Sequence, residues 1–358
     1  MSHYDLILIG AGHAHLGVLR RWALVERPPG RIALLSAGHD AWYSGMLPGL
    51  LAGRFSADDC RIELAPLCRA AKVELIVAEA QGLSAAQQQV ELADGRMLGA
   101  SWLSLNVGGQ VAQPPQQGAD MQLLAVKPFA DFLAGWQAWQ AEPQPLAILG
   151  GGAAGVELAL ALADQVPQLA LFCAGTLLAG HNAGLHLRAL GHLRQRGVQV
   201  RENCPIERVD EDCLISGEVP VWRGHRLLLA SGAQALPWLA QSGLSCDQGG
   251  FVQIGASLQS LSHPQLFAVG DCASLPGARK SGVYSVRQAP VLAANLNAVL
   301  RGLPLRAYRP QRQSLALLAT GDGGALLGWR GWSAGGQFYG RWKDYLDRGF
   351  IRRHRFSG

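Results

Sequence analysis

Runs of four to six apolar residues alternate along this chain with segments whose apolar positions recur every three or four residues. Tyr4-Asp5-Leu6-Ile7-Leu8-Ile9 reads as a buried strand, and Ala14 to Val25 has helical spacing. Pro28-Pro29-Gly30 breaks the chain before a second strand over Arg31 to Ser36, which closes a βαβ unit. Short strands are expected over 73–77 and 90–92, followed by the turn Ala93-Asp94-Gly95-Arg96. Another runs from Leu103 into Gly108-Gly109. A helix over 130–140 and the break at Pro143 and Pro145 precede a second unit of the same form. That unit has a strand over Leu146 to Leu149, a helix over Ala154 to Ala163, a strand over Leu169 to Cys173 and an end at Ser231-Gly232. Pro264 to Asp271 returns to a buried strand, and 286–301 reads as a helix.

Composition narrows the class. The 358 residues are 49% hydrophobic and 16% charged with 45 glycines, which suits an α/β protein with many tight turns and disfavours disorder. No run of about 18 apolar residues predicts a membrane-crossing helix. The strand that starts at Asp5 leaves no room for a signal peptide, so the expected place is the cytoplasm or the cytoplasmic face of the inner membrane. The seven cysteines form no CxxC pair and are expected to be reduced, without a disulfide relay. No His/Cys/Asp cluster has metal-ligand spacing. The net charge of +5 is concentrated at the end: from Arg341 onward six basic residues face two acids, leaving +4 there. The nearly neutral remainder argues against nucleic-acid binding.

Each βαβ unit carries a glycine-rich turn between its strand and helix. The first is Gly10-Ala11-Gly12-His13-Ala14-His15 and the second is Gly150-Gly151-Gly152-Ala153-Ala154-Gly155. In such a turn one glycine bends the chain, one lets the backbone approach a pyrophosphate, and one lets helix pack on strand. The helix N-terminus then offers free N–H groups to the phosphates. Two copies predict two nucleotides, the arrangement needed when a nicotinamide passes electrons to a flavin. His15 replaces the third glycine of the first copy, as an interior packing residue or a cofactor contact. Ser36 and Cys173-Ala174 stand where an acid usually holds the ribose. No arginine follows the second strand to receive a 2′-phosphate, which favours NADH over NADPH.

Leu266-Phe267-Ala268-Val269-Gly270-Asp271 resembles the ribityl-binding motif of the two-dinucleotide-binding flavoproteins, with Asp271 accepting from the sugar-alcohol chain; capping a following helix is its structural rival. Leu227 to Gly232 is similar to the same superfamily's Ala-Thr-Gly strand end, and Leu105-Asn106-Val107-Gly108 to a looser copy beside the flavin. Within that superfamily, the loop Tyr43-Ser44-Gly45-Met46-Leu47-Pro48-Gly49 and the stretch Lys280 to Gln288 resemble type II NADH dehydrogenases. The resemblance extends to the oxidoreductase domain found fused to selenide, water dikinase.

The resemblance implies two Rossmann-like domains, with an FAD domain built from 1–115 and 250–315 and an NAD(P)H domain over 143–235 inserted into it. Residues 316–358 form a C-terminal basic and aromatic segment. It implies FAD contacts from Gly10, Gly12, His13, His15, Ser36, Gly45, Asn106, Gly108, Gly270, Asp271, Gly282 and Tyr284. For NADH it implies Gly150, Gly152, Ala153, Gly155, Glu157 and Gly232. A helix starting near Gly282, and Lys280 as a point charge, would stabilise a reduced flavin; a solvated surface lysine is the plain alternative for Lys280. Glu157 lies near the nicotinamide by resemblance, while a favourable charge on the first turn of its helix is the structural alternative. The activity implied is an FAD-dependent NADH:quinone oxidoreductase. Two alternatives stay open: a sulfide:quinone reductase using Cys272, and a flavin-bearing partner module of selenium handling without NADH turnover. The aromatic and basic residues from Trp329 onward fit either a membrane-surface anchor or a helix packed on the protein or in a homodimer.

Overall fold

The computed structural model describes residues 3–118 and 120–356. Met1, Ser2, Ala119, Ser357 and Gly358 lie outside it, and with them the ends of the segments read as 1–115 and 316–358. The α/β class expected from the alternating pattern is what the chain forms. In the first sheet, strands Glu74–Val77, Ile32–Ser36, His3–Ile9 and Met97–Leu105 run parallel in that order. Leu6, Ile7, Leu8, Ala33 and Leu34 are fully buried, which is why these strands read as unbroken apolar runs. The strand Met97–Leu105 changes partner along its length. Its start takes the antiparallel hairpin Ala80–Ser84 and Gln89–Leu92, and its end takes Leu266–Ala268 in parallel, Leu105 opposite Ala268. This pairing brings the chain back to the first sheet after a long excursion.

That excursion forms a second sheet of five parallel strands: Gln122–Ala125, Arg226–Leu229, Leu146–Leu149, Leu169–Phe172 and Gln199–Arg201. The second unit therefore begins earlier than the expected 143. Gln122–Ala125 is too short to announce itself in sequence and becomes a strand by pairing with a partner a hundred residues away. The helix Phe129–Gln140 follows it, burying Phe129, Phe132, Trp136 and Trp139 on one stripe.

The C-terminal part is a folded unit rather than a short tail. Ala316–Ala319, Ala325–Trp329 and Trp332–Gly336 form an antiparallel sheet that leads into an 18-residue helix, Gln337–His354. Gly340, Asp347, Phe350, Ile351 and His354 face inward, and a Cβ at Gly340 would overlap the Gly323 carbonyl, so the helix lies directly on that loop. No helix among the described residues is long and apolar enough to cross a membrane.

Candidate functional site

The two glycine-rich turns lie at the carboxyl ends of the central strands of the two sheets, where ligands of open α/β sheets collect. In the first, Gly10 takes φ +88° and the helix His13–Leu24 begins after Gly12. Asn106 Oδ1 accepts the N–H groups of Ala14 (3.0 Å) and His15 (3.2 Å), and Ser285 Oγ shares that of Ala14 at 3.1 Å. The N–H groups of Ala11, Gly12 and His13 make no hydrogen bond within the described residues. In the second turn the helix Ala153–Leu162 has no side-chain cap, and the space where a Cβ of Gly152 would stand is open. Open backbone donors at a helix N-terminus are a pyrophosphate cradle, so both turns fit a dinucleotide.

Asn106, read as a loose copy of a strand-end motif, thus serves as a clamp. Its Nδ2 donates to Val269 O at 3.0 Å, joining the first helix to the strand end before Gly270. Gly270 in turn takes φ +72° and donates to Gln288 Oε1. Asp271 follows at the edge of the sheet. It does not cap the helix Gly282–Val299, whose N-cap Ser281 makes no side-chain bond. Its carboxylate instead receives Lys127 Nζ at 2.9 Å.

Lys127 was invisible in sequence. It stands at the crossover between units, before Pro128, and no motif marks it. Asp271→Asn leaves it facing a neutral amide. This variant should weaken retention of FAD about 10- to 100-fold, as loss of a charge-assisted hydrogen bond does, measured by fluorescence of the released flavin. Unchanged retention would remove Asp271 from the cradle.

Two expectations need correction, and Lys280 has its own partners. His15 is fully buried with both ring nitrogens engaged, Nδ1 to Gly10 O at 2.6 Å and Nε2 to Ser104 Oγ at 2.8 Å. Burial pushes its pKa down to about 4, so it is a neutral interior residue and not a cofactor contact. Tyr284 is also buried, and its hydroxyl donates to Gln311 O at 3.0 Å, away from the cradle. Lys280 donates to Ala273 O at 2.9 Å and lies 3.4 Å from the centre of the Phe251 ring, with Asp271 and Cys272 acting on its charge. The remaining residues stay around the two turns. Ser36 ends its strand buried, the Cβ positions of Gly108 and Gly232 are open, and the first turn of the helix Gly282–Val299 meets that of His13–Leu24 through Ser285.

His13 packs edge-on to Tyr43 at 5.4 Å and against Phe350 of the C-terminal helix at 5.5 Å. Burial lowers its pKa to about 4 against the pull of Asp271. Tyr43 leads to a buried ionic cluster. Its hydroxyl donates to Asp347 Oδ1 at 3.1 Å, and Lys343 Nζ reaches Asp347 Oδ2 at 2.8 Å, Gly45 O at 2.9 Å and Glu157 Oε1 at 3.7 Å. Glu157 Oε1 also accepts Ala319 N–H at 2.8 Å. Burial raises the pKa of both Glu157 and Asp347, with the nearby ammonium opposing. Lys343 is raised as well: burial acts against its charge, but the two carboxylates outweigh it. Tyr43 links this cluster to the first glycine turn through its contacts with Asp347 and His13. Lys343 and Asp347 were read only as part of a basic tail; their spacing of four on a helix was the available signal.

All seven cysteines are free. Cys272, beside Asp271, is fully buried, and burial pushes its pKa up to about 11, which keeps it a thiol. Near the second turn, Glu202 is committed to Leu177 N–H and His186. The fold also brings Arg279 from a distant loop to Gly180 O at 3.1 Å, a contact that sequence spacing could not show.

A profile of the family described as pyridine nucleotide-disulphide oxidoreductase matches residues 4–294. The nitric oxide reductase FlRd-NAD(+) reductase of Vibrio vulnificus is 28% identical over 225 residues, covering 59% of this chain and 56% of that protein. The type II NADH:quinone oxidoreductase of Haemophilus influenzae is 27% identical over 186 residues, covering 46% of this chain and 42% of that protein. The chain thus spans about half the length of the curated relatives it matches. Among solved structures, the sulfide:quinone oxidoreductase of Aquifex aeolicus superposes with a TM-score of 0.80 at 18% identity, over 99% of this chain and 92% of that one. That likeness speaks for the fold.

Proposed function

The chain belongs to the pyridine nucleotide-disulphide oxidoreductase family, whose members are flavin and NAD(P)H oxidoreductases, and from that premise we propose that it is an FAD-dependent NADH:quinone oxidoreductase of the type II kind. One observation carries this reading: the buried cluster of Glu157, Lys343 and Asp347 is joined through Tyr43 to His13 of the first glycine turn, and all seven cysteines are free thiols. A disulfide- or sulfide-handling relay needs two thiols at the flavin, whereas Cys272 stands alone and protonated. A quinone takes up two protons with its two electrons, and burial raises the pKa of both carboxylates in this cluster, which suits them to proton transfer. FAD, when bound, supplies the two-electron link between nicotinamide and quinone. The chain's part is to hold and to protonate. Gly12 and His13 N–H groups with Asp271 orient one dinucleotide, and the Gly150–Gly155 turn receives the pyrophosphate of NADH. Burial of Glu157 and Asp347 favours their protonated forms, while Lys343 holds both in place and pulls towards the charged forms. NADH is preferred over NADPH because no arginine closely follows Cys173-Ala174 in sequence, and Arg279 is engaged with Gly180.

The FAD domain in this reading comprises residues near 1–115 and 250–315, and the NADH domain lies between them. The C-terminal helix supports attachment to the cytoplasmic face of a membrane. Its inner face is packed, while Phe338 (73% exposed) and Tyr345 (68%) point outward beside the exposed Arg341 and Arg352. Rings at headgroup depth with cations facing anionic lipid make an interfacial anchor. Phe338→Ser combined with Tyr345→Ser should lower the fraction that floats with anionic vesicles several-fold and leave the melting temperature unchanged. Equal flotation of both forms would remove the anchor. Anaerobic NADH tests the enzyme itself: a flavin that stays oxidised would leave the partner-module reading in its place.

A further inference from the structure

Arg226 opens its strand in the second sheet and is only 8% exposed, yet no carboxylate of the described residues lies within ion-pair distance of it. Its Nη1 donates to Trp139 O at 2.8 Å and Glu142 O at 2.6 Å; Nε and Nη2 donate to nothing among the described residues. Burial acts against its charge, with Glu142 partly opposing. Arg226 lines a cavity of about 110 Å³ together with Trp136, Gln140, Gln144 and Gln165. Trp136 is 4% exposed, and its Nε1 is buried with no hydrogen-bond partner. Trp136 Nε1 is thus a buried donor without a partner, which is rare, whereas the Nε–Nη2 edge of Arg226 keeps accessible surface.

We propose that this cavity is a binding site for a small oxyanion, the carboxylate or phosphate group of a ligand, received by the Nε–Nη2 edge of Arg226 and the indole N–H of Trp136. The free edge of a guanidinium matches two oxygens of such a group. The volume is far above the roughly 10–15 Å³ that one water needs and below the roughly 300–1,000 Å³ of a larger organic ligand. A free ion or a short acid fits; a dinucleotide or quinone does not. The site is separate from the nicotinamide cradle. Arg226 is in register with Leu146, at the start of the strand whose other end runs into Gly150. Gln165, on its wall, also donates to Leu51 O at 2.6 Å, so the cavity borders the contact between the two units.

Isothermal titration of the FAD-loaded protein with inorganic phosphate, and separately with acetate, at constant ionic strength and with NAD⁺ saturating the glycine turn, tests this. The expected result is saturable binding of at least one anion at one site. Trp136→Phe, which keeps the ring and removes the N–H, should weaken it about 2- to 10-fold, and Arg226→Gln about 10- to 100-fold. NADH reduction of the flavin should be unchanged in Trp136→Phe. Whichever anion binds tighter identifies the group. No saturable binding by either anion, or equal binding by wild type and Trp136→Phe, overturns the proposal and leaves ordered water as the partner of both donors.

Discussion

Lys343→Met should destabilise the folded protein by about 3–5 kcal/mol, the range seen when one partner of a buried ionic group is removed. The side chain is 11% exposed and answers two carboxylates that are 13% and 8% exposed. Methionine fills similar volume but leaves Glu157 and Asp347 facing one another's charge in a dry pocket. The loss should depend on pH. Both carboxylates are raised above their unfolded values, so the stability they contribute is complete below the ordinary carboxylate range and is lost as pH rises through the folded values. Lys343 is raised too, so in the wild type its compensation persists through neutral pH and fades only on the alkaline side. Chemical denaturation should therefore show a larger gap between variant and wild type above about pH 7 than below about pH 5. An equal gap at both would mean that Lys343 contributes packing alone.

Gly155→Ala should sharply weaken reduction by NADH while leaving the flavin bound. A Cβ there would overlap the carbonyl oxygen of Gly150 and lie 3.5 Å from Leu171 Cδ1. Neither the turn nor the buried helix behind it can give way cheaply. Over-packing of this kind costs about 1–3 kcal/mol and shifts backbone, here the first turn whose N–H groups receive the pyrophosphate. The expected effect is a rise in KM for NADH of more than about tenfold, since each 1.4 kcal/mol is a factor of ten. Reduction by dithionite should be unaffected. The first unit tolerates His15 at the matching position because the imidazole passes between helix and sheet to Ser104 and bonds Gly10 O itself. Normal NADH kinetics in Gly155→Ala would separate the second turn from nicotinamide binding.

What could be read from sequence was what depends on neighbours along the chain. The two strand–glycine–helix turns, the Gly270-Asp271 strand end and the α/β class all follow from local pattern, and the fold contains each of them. Roles set by distant partners could not be read. Asp271 meets Lys127 across 144 positions, Glu157 meets Lys343 across most of the C-terminal half, and Gln122–Ala125 is a strand only because Arg226–Leu229 lies beside it. His15 and Tyr284 sit inside recognisable motifs, yet their side chains turn inward to distant partners, the buried Ser104 and the half-buried Gln311. The aromatic and basic tail offered two readings, and the helix divides them by face: Phe350 and His354 pack while Phe338 and Tyr345 remain outside.

The visible absorption spectrum of the purified FAD-loaded protein, recorded without oxygen before and after one equivalent of NADH, bears most directly on two facing dinucleotide sites. The flavin band should bleach within seconds and return when a soluble quinone is added. A band that NADH leaves untouched, in a protein whose flavin dithionite still reduces, would contradict the account.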